Sequence, residues 1–205
     1  MLRLRSPHVL RLASGQTLID TLASRTDGTT GIRVASVLFL AALTAAAAQI
    51  SIPLPFTVVP FTFQPIVVLV GGLALGPRLA VASQVLYLAA GIAGVPVFAA
   101  SASLAPGIGR LLGPTGGYLM SYPLAAFVVG ALGARGFDRR YATSVIAMLV
   151  GLAVVYAGGV LWLSALAGLH TALVAGFYPF VIADVIKVIG AAGVMPGVWK
   201  MLRTA

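Results

Sequence analysis

Six long apolar runs, separated by breaks rich in glycine, proline or arginine, constrain the fold of this chain more than any other feature. A helix that crosses a lipid bilayer needs roughly 20 mostly apolar residues. The runs cover residues 33–50, 63–75, 78–93, 116–132, 142–166 and 173–198. The sequence therefore predicts an all-α integral membrane protein with six transmembrane helices.

Charged side chains are too rare for a soluble fold. They make up 8% of the chain, against about 25% of an ordinary soluble domain. The net charge of +9 does not indicate nucleic-acid binding, because the basic residues lie at the edges of apolar runs. The absence of cysteine excludes disulfides and thiolate metal sites. The two histidines are far apart, so we predict no metal and no cofactor.

The basic residues also predict the topology. Six spans place eleven of the 13 lysines and arginines on one side, with Arg110 on the other side and Lys187 inside a span. By the positive-inside rule both termini are then cytoplasmic. Five or seven spans would break this asymmetry. Trp199, beside Lys200 at the inner edge, is expected to lie in the inner aromatic belt.

The predicted domain organisation has two parts. Residues 1–31 lack the apolar core of a secretory signal and read as a cytoplasmic amino-terminal tail, with a short surface helix as the alternative. Residues 32–205 form the six-helix transmembrane domain, which we expect to bind a substrate.

Asp184 and Lys187 are the most informative pair in the sequence. Both lie in the sixth apolar run, three residues apart, and therefore on one face of a helix. A lone charge at mid-membrane costs about 2.5–3.5 kcal/mol on insertion scales. The pair is expected to face a cavity and contact a polar ligand: Lys187 could bind a carboxylate and Asp184 an N–H donor. A purely structural ion pair is the alternative.

Three further groups of polar or aromatic residues are candidates for ligand contact. Gln84 and Tyr87 form a second pair three residues apart in the third run, and they could bind a ligand or another helix. Thr115 and Tyr118 lie in the glycine-rich start of the fourth run, where backbone N–H groups are free to bind. Several other aromatic side chains could line a pocket or lie in aromatic belts. These are Tyr122, Tyr156, Trp162 and Tyr178.

Two segments have properties that suit closure and docking. Residues 51–62 hold three prolines and no charge, which suits either a lid over a pocket or a loop in the lipid interface. The first run carries a smooth face of small side chains, which is typical of close helix packing in membranes. That face packs either within the bundle or against another membrane subunit. It comprises Ala41, Ala42, Ala45 and Ala46.

Several motifs follow one another in a specific order. They are Ile-Pro-Leu-Pro-Phe-Thr at 52–57, Val-Pro-Phe-Thr at 59–62, Gln-Pro at 64–65, Leu-Gly-Pro-Arg at 75–78, Gly-Val-Pro-Val-Phe at 94–98, Leu-Gly-Pro-Thr-Gly-Gly-Tyr at 112–118 and Asp-Val-Ile-Lys at 184–187. In these segments the chain resembles the BioY family, the biotin-specific substrate-binding (S) components of energy-coupling-factor (ECF) transporters. The resemblance runs from about residue 33 to the carboxyl end.

The resemblance implies a six-helix S component that holds biotin near the outer face of a bacterial cell membrane. Asp184 and Lys187 match the family's polar ligand-contacting pair, and the first outer loop, with Phe56, would close over the ligand. The implied partners are a transmembrane coupling subunit, which would meet the small-residue face, and two cytoplasmic ATPases. The chain itself has no Walker motif. A homo-oligomer is also compatible with the sequence.

Other functions receive less support from the residues. An intramembrane enzyme is not predicted, because no span holds a histidine, a cysteine or a pair of carboxylates. An S component for another small vitamin stays open, since apolar walls and one charged pair suit several vitamins. A solitary or proton-coupled carrier that uses Asp184 also stays open.

Overall fold

A computed structural model describes residues 17–23, 29–100 and 105–204 of the chain. Most of the predicted amino-terminal tail, including Asp27, lies outside these residues. Most of the described chain is helical. The elements in chain order are α1 (Leu18–Ala23), α2 (Thr29–Gln49), β1 (Ser51–Ile52), β2 (Phe61–Thr62), α3 (Gln64–Ile92), α4 (Ile108–Leu112), α5 (Gly116–Ala134), a 3₁₀ turn (Phe137–Arg139), α6 (Tyr141–Ala167), α7 (Leu169–Gly176), α8 (Tyr178–Ala191) and α9 (Val194–Thr204).

Five helical stretches among the described residues are long and apolar enough to cross a membrane. They are Thr29–Gln49, Gln64–Ile92, Gly116–Ala134, Tyr141–Ala167 and Tyr178–Leu202. These stretches agree with the predicted class, a helical multi-pass membrane protein. Their number differs from the six apolar runs of the sequence, because α3 contains both the second and the third run.

The helix α3 reverses direction at Gly76. This residue has φ 76° and ψ 176°, a conformation that favours glycine, and it is followed by Pro77. Gln64 Nε2 donates a hydrogen bond of 2.6 Å to Tyr87 Oη. A straight helix would separate these two residues by about 34 Å. The halves of α3, residues 64–75 and 77–92, therefore run antiparallel, as the sequence break at 76–78 predicts.

Small residues allow the central helices to approach closely. A Cβ atom at Gly130 of α5 would lie 2.6 Å from the backbone nitrogen of Pro77, and one at Gly158 of α6 would lie 2.7 Å from Ser121 Cβ. On the other side of α3, Thr44 of α2 accepts a hydrogen bond from Gln84. The helices α2, α3, α5 and α6 thus form one packed bundle around which the shorter elements lie.

The amino-terminal side of the bundle carries a short helix. The helix α1 packs beside α2 and α3, and Asp20 forms an ion pair of 3.2 Å with Arg33. The side chain of Thr17 lies against Gly76 at the reversal of α3. Residues 18–23 of the predicted tail therefore form a short helix, which was the alternative prediction for this segment. The helix α2 begins at Thr29, so the predicted domain boundary between residues 31 and 32 falls inside it.

The sixth predicted run is divided among three helices. The helix α7 ends at Gly176, and α8 begins at Tyr178 with Pro179 in its first turn. A proline suits this position because its missing N–H would have no helical partner there. The helix α9 begins at Val194 and is strongly amphipathic.

The expected place of Trp199 in an aromatic belt is wrong. Its side chain is only 2% exposed, and its Nε1 donates a hydrogen bond to Asp138 in the turn between α5 and α6. The guanidinium of Arg139 lies 3.8 Å from the centroid of the Trp199 ring. Burial raises the pKa of the Asp138 carboxyl above its usual range. These contacts fasten α9 to the bundle, so packing rather than the lipid interface positions the indole.

Candidate functional site

The loop of residues 53–60 covers one end of the bundle. The strands on either side of it pair Ser51 with Thr62 and Ile52 with Phe61. Thr57 Oγ1 donates a hydrogen bond to the backbone carbonyl of Ala175 at the end of α7. The loop is therefore packed over the bundle, in the position that the lid interpretation requires.

Two adjoining cavities lie beneath this loop. The first has a volume of about 60 Å³ and the second about 50 Å³, so each has room for a few water molecules. Both are lined by Val59 and Pro60 of the loop, by Thr62 of β2 and by Tyr118 and Tyr122 of α5. The two tyrosines lie four residues apart on one face of α5 and contribute to the walls of both cavities.

The first cavity ends at Asp184. Its carboxylate accepts hydrogen bonds of 2.6 Å from Tyr156 Oη at Oδ2 and from Lys187 Nζ at Oδ1. The aspartate is only 6% exposed, and the nearby lysine neutralises it within the bundle. Phe180 and Tyr156 provide aromatic walls next to it. This end of the cavity can accept an N–H donor from a ligand.

Lys187 lies behind the aspartate and does not line either cavity. Besides its bond to Asp184, its Nζ donates a hydrogen bond of 2.9 Å to the backbone carbonyl of Thr62. The same nitrogen lies 3.5 Å from the ring centroid of Phe61 and 5.1 Å from that of Phe63. The ammonium therefore contacts the aspartate and residues 61–63, which follow the loop.

The second cavity has a cationic end. Arg110 of α4 lines it, is 6% exposed and donates a hydrogen bond of 3.1 Å to the carbonyl of Ala105. Burial lowers the pKa of the Arg110 guanidinium, because burial penalises its charge. Thr115 Oγ1 also borders this cavity and has no hydrogen-bond partner among the described residues. An anion in this cavity would lie beside the Arg110 guanidinium and could accept a hydrogen bond from the Thr115 hydroxyl.

The remaining predicted ligand contacts do not line the cavities. Gln84 Nε2 donates to Thr44 Oγ1 at 3.3 Å. Tyr87 Oη donates to the carbonyl of Val97 at 3.3 Å, which ties the loop after α3 to the bundle. Phe56 is 64% exposed. None of Gln84, Tyr87 and Phe56 lines either cavity.

The four alanines of the predicted small-residue face do not share one environment. Ala41 is buried in the bundle and Ala45 is partly buried, whereas Ala42 and Ala46 are exposed on the outer face of α2. Only the last two are available to another membrane subunit.

Sequence reasoning did not assign Arg110 or Tyr156 to the site. In the sequence, Arg110 stood out only as the single basic residue on the predicted outer side. That exception to the charge asymmetry was the one feature that could have indicated a role in the site. Tyr156 was one of several aromatic residues without a fixed place. Among the described residues, no group of three or more histidines, cysteines or acidic residues could hold a metal ion.

Known proteins match most of the chain. A family model, the BioY family, matches residues 21–204, a match that begins ahead of the residue 33 inferred from the motifs. "Probable biotin transporter BioY" of Pyrococcus horikoshii is 42% identical over 154 residues, which are 75% of this chain and 88% of that protein. "Biotin transporter BioY" of Thermotoga maritima is 38% identical over 152 residues, which are 74% of this chain and 86% of that protein.

A solved structure has the same fold. It is a crystal structure of the S-component for biotin from an ECF-type ABC transporter, and it superposes with a TM-score of 0.74. The match covers 85% of this chain and 94% of that chain at 24% sequence identity. At this identity the likeness establishes the fold, a helical S-component bundle.

Proposed function

The chain belongs to the BioY family, and on that premise we propose that it is a membrane subunit that binds biotin and mediates its uptake. It is a transport protein and not an enzyme. The observation that carries the proposal is the pair of cavities under the loop 53–60, one ending in a carboxylate and the other in a guanidinium.

The chemistry of the two cavities matches the two ends of biotin. The ureido ring presents N–H donors, which Asp184 can accept, and the valerate tail ends in a carboxylate, which Arg110 and Thr115 can bind. Tyr118 lines both cavities and would lie along the apolar middle of the ligand. We assign the carboxylate to Arg110 rather than to Lys187, because the Lys187 ammonium is already bonded to Asp184 and to Thr62.

The residues behind the cavities would act through those that line them. Lys187 holds Asp184, and Tyr87 holds the loop after α3 through Val97. Gln84 joins α3 to α2. Phe56 lies on the outer surface of the loop and would reach a ligand only if the loop rearranged. Of the residues predicted from the sequence, we therefore propose direct contact for Asp184, Tyr118 and Thr115, in addition to Arg110.

We further propose six membrane spans with both termini in the cytoplasm and residues 32–205 as the transmembrane domain. The reversal at Gly76 supports this count, because it turns α3 into two antiparallel helices. Residues 64–75 would extend only about 18 Å as a helix, so this span must be accommodated by local thinning of the bilayer or by burial within the bundle. An even number of spans also keeps the basic residues on one side.

The proposed partners are a transmembrane coupling subunit and two cytoplasmic ATPases, in the cell membrane of a bacterium. Transport against a gradient needs an energy source, and the sequence contains no nucleotide-binding motif. The exposed residues Ala42 and Ala46 of α2 would provide a smooth surface for the coupling subunit.

Calorimetric titration of the detergent-purified chain with biotin tests the function. We expect binding at one site, with a dissociation constant between nanomolar and low micromolar, that thiamine and riboflavin do not displace. Absence of biotin binding by protein that elutes as a single folded species would overturn the biotin assignment. Displacement by another vitamin would instead indicate an S component of different specificity.

A further inference from the structure

A wide groove lies on the side of the bundle, lined by residues of α6, α7 and α8. Its volume is about 460 Å³, against about 60 and 50 Å³ for the two cavities beneath the loop. Ala153 and Ala157 of α6 line it and are exposed, and Val181 and Val185 of α8 line it as well. The two alanines lie four residues apart and therefore on one face of α6. Their methyl groups fill little of the space between the helices.

The lining of this groove suits a hydrocarbon. Among the described residues that line it, only Tyr156 carries a polar side-chain group, and its hydroxyl already donates a hydrogen bond to Asp184. An apolar cavity of about 150 Å³ in a protein stays dry and binds a hydrocarbon the size of benzene. The groove has about three times that volume, so it favours a longer hydrocarbon over water.

The position of the groove along α6 corresponds to the depth of the lipid chains. Its lining residues on α6 fall between positions 149 and 160 of a helix that runs from Tyr141 to Ala167. At 1.5 Å per residue, the groove is about 17 Å long and stops at least about 10 Å short of either end of the helix. The hydrocarbon core of a bilayer is about 30 Å thick. The groove therefore opens into acyl chains and not into headgroups or water.

The surroundings of the groove favour a lipid over a second protein. Val150 and Leu161 of α6 and Ile182 of α8, each next in sequence to a lining residue, are 42%, 70% and 71% exposed. A protein–protein interface commonly has a polar rim, whereas these neighbours are all apolar. A helix is about 10 Å across, so a 17 Å length of it occupies about 1,300 Å³. A partner helix could place only its side chains in the groove, but a single acyl chain fits inside it.

We propose that this groove binds one acyl chain of a membrane phospholipid, which packs against the back of the ligand site. Tyr156 lines both the groove and the first cavity. The ring of Phe177, another lining residue, meets the Tyr156 ring edge-on with centroids 5.0 Å apart. An acyl chain here would support the tyrosine ring whose hydroxyl bonds to Asp184. The lipid site depends on the groove alone, whereas its effect on biotin rests on the proposed function.

Native mass spectrometry of the full chain, released from nanodiscs of palmitoyl-oleoyl-phosphatidylglycerol, tests for a retained lipid. We expect one phospholipid, identified by its mass, to stay on the parent under activation that removes all others. Ala153→Phe/Ala157→Phe fills the groove with two rings and should lower the lipid-bound fraction at least fivefold, because the chain loses its buried surface. Ala165→Phe is the matched control, since Ala165 is also exposed on α6 but does not line the groove. This variant should keep the lipid.

Photolabelling of the unmodified protein keeps the test independent of how the variants fold. A phosphatidylglycerol with a diazirine in the middle of one acyl chain is photolysed in the same nanodiscs. We expect the groove residues of α6 and α8 to be labelled at least threefold more than Leu38 and Phe39, which are 54% and 67% exposed near the middle of α2. Uniform labelling of these surfaces would overturn the lipid site.

The remaining outcomes separate the lipid site from its alternatives. Equal lipid retention by Ala153→Phe/Ala157→Phe and Ala165→Phe would overturn the proposal. Parent dimers that become monomers in the double variant, with no loss of lipid, would also overturn it and assign the groove to a second copy of the chain. Added phosphatidylglycerol should raise the biotin affinity of delipidated parent at least threefold and leave that of the double variant unchanged. An unchanged parent affinity would overturn the support of Tyr156 by the lipid. Failure of the parent to bind biotin would overturn the proposed function, while lipid retention would still decide the lipid site.

Discussion

The Tyr156 hydroxyl lies 2.6 Å from Asp184 Oδ2, and the ammonium of Lys187 lies 2.6 Å from the other oxygen of the same carboxylate. Two donors, from α6 and from α8 itself, therefore fix the orientation of this group. A carboxylate has about four lone-pair sites, so two remain for the N–H donors of a ligand. The donors that hold Asp184 orient its free sites before the ligand arrives.

Tyr156→Phe should weaken biotin binding about tenfold, which corresponds to roughly 1.4 kcal/mol. The substitution keeps the aromatic wall of the cavity and removes only the hydroxyl, and hydrogen bonds to charged groups contribute about 1.5–3 kcal/mol. Calorimetric titration measures the effect. Tyr178→Phe is the matched control, because Tyr178 is 58% exposed and lines neither cavity. Equal affinities of the Tyr156→Phe protein and the parent would contradict an orienting role.

Arg110→Gln should weaken the binding of biotin at least tenfold, or about 1.4 kcal/mol, and that of biotinamide less than twofold. The amide lacks the carboxylate that we assign to the second cavity, so its binding does not depend on the guanidinium. Titration of both ligands against both proteins gives the comparison. An equal loss for the two ligands would place the carboxylate elsewhere and assign Arg110 a structural role.

Local sequence features predicted those parts of the fold that depend on residues near in sequence. The break at Gly76-Pro77 follows from one residue that favours positive φ and another that lacks an N–H. The pairing of Asp184 with Lys187 follows from helical spacing. The number of spans is harder to read from the sequence, because the two halves of α3 meet at Gly76 without a loop between them.

The contacts that complete the site depend on tertiary packing, and no local pattern encodes them. Tyr156 reaches Asp184 across 28 positions of the chain, and Lys187 reaches Thr62 across 125. The burial of Trp199 against Asp138 likewise requires α9 to fold back onto the turn before α6. Neighbouring residues only suggested an interfacial tryptophan there.

Gly76→Ala should lower the Tm of the detergent-purified protein by several degrees. An alanine at positive φ is strained by about 1–3 kcal/mol, and its Cβ would lie 2.6 Å from Thr17 Cγ2. Gly94→Ala is the matched control, because Gly94 has φ 92° but no atom within 4 Å of an added Cβ. It should show the backbone strain alone. Equal losses at the two positions would mean that the contact with Thr17 contributes nothing.

Asp138→Asn should make the stability of the protein less dependent on pH. Burial raises the folded-state pKa of Asp138, so its contribution to stability is complete below the ordinary value of about 3.9 and is lost as the pH rises through the folded value. The Tm of the parent should therefore fall relative to that of Asp138→Asn as the pH is raised from about 4 to 7. Trp199→Phe, which removes a donor that lowers this pKa, should increase the fall. Parallel pH profiles of parent and Asp138→Asn would contradict the assignment.

Ala42→Trp and Ala46→Trp should impair biotin uptake without impairing biotin binding. Both alanines are exposed on α2, so a large side chain can extend into lipid in the isolated chain but would separate α2 from a coupling subunit that packs against it. Ile182→Trp controls for bulk alone, because Ile182 is 71% exposed on α8. Uptake by cells that also produce the coupling subunit and the ATPases should fall at least tenfold for the α2 variants and remain near the parent value for Ile182→Trp. Loss of binding in the α2 variants would instead mean that this face supports the cavity, and unchanged uptake would place the coupling subunit on another helix.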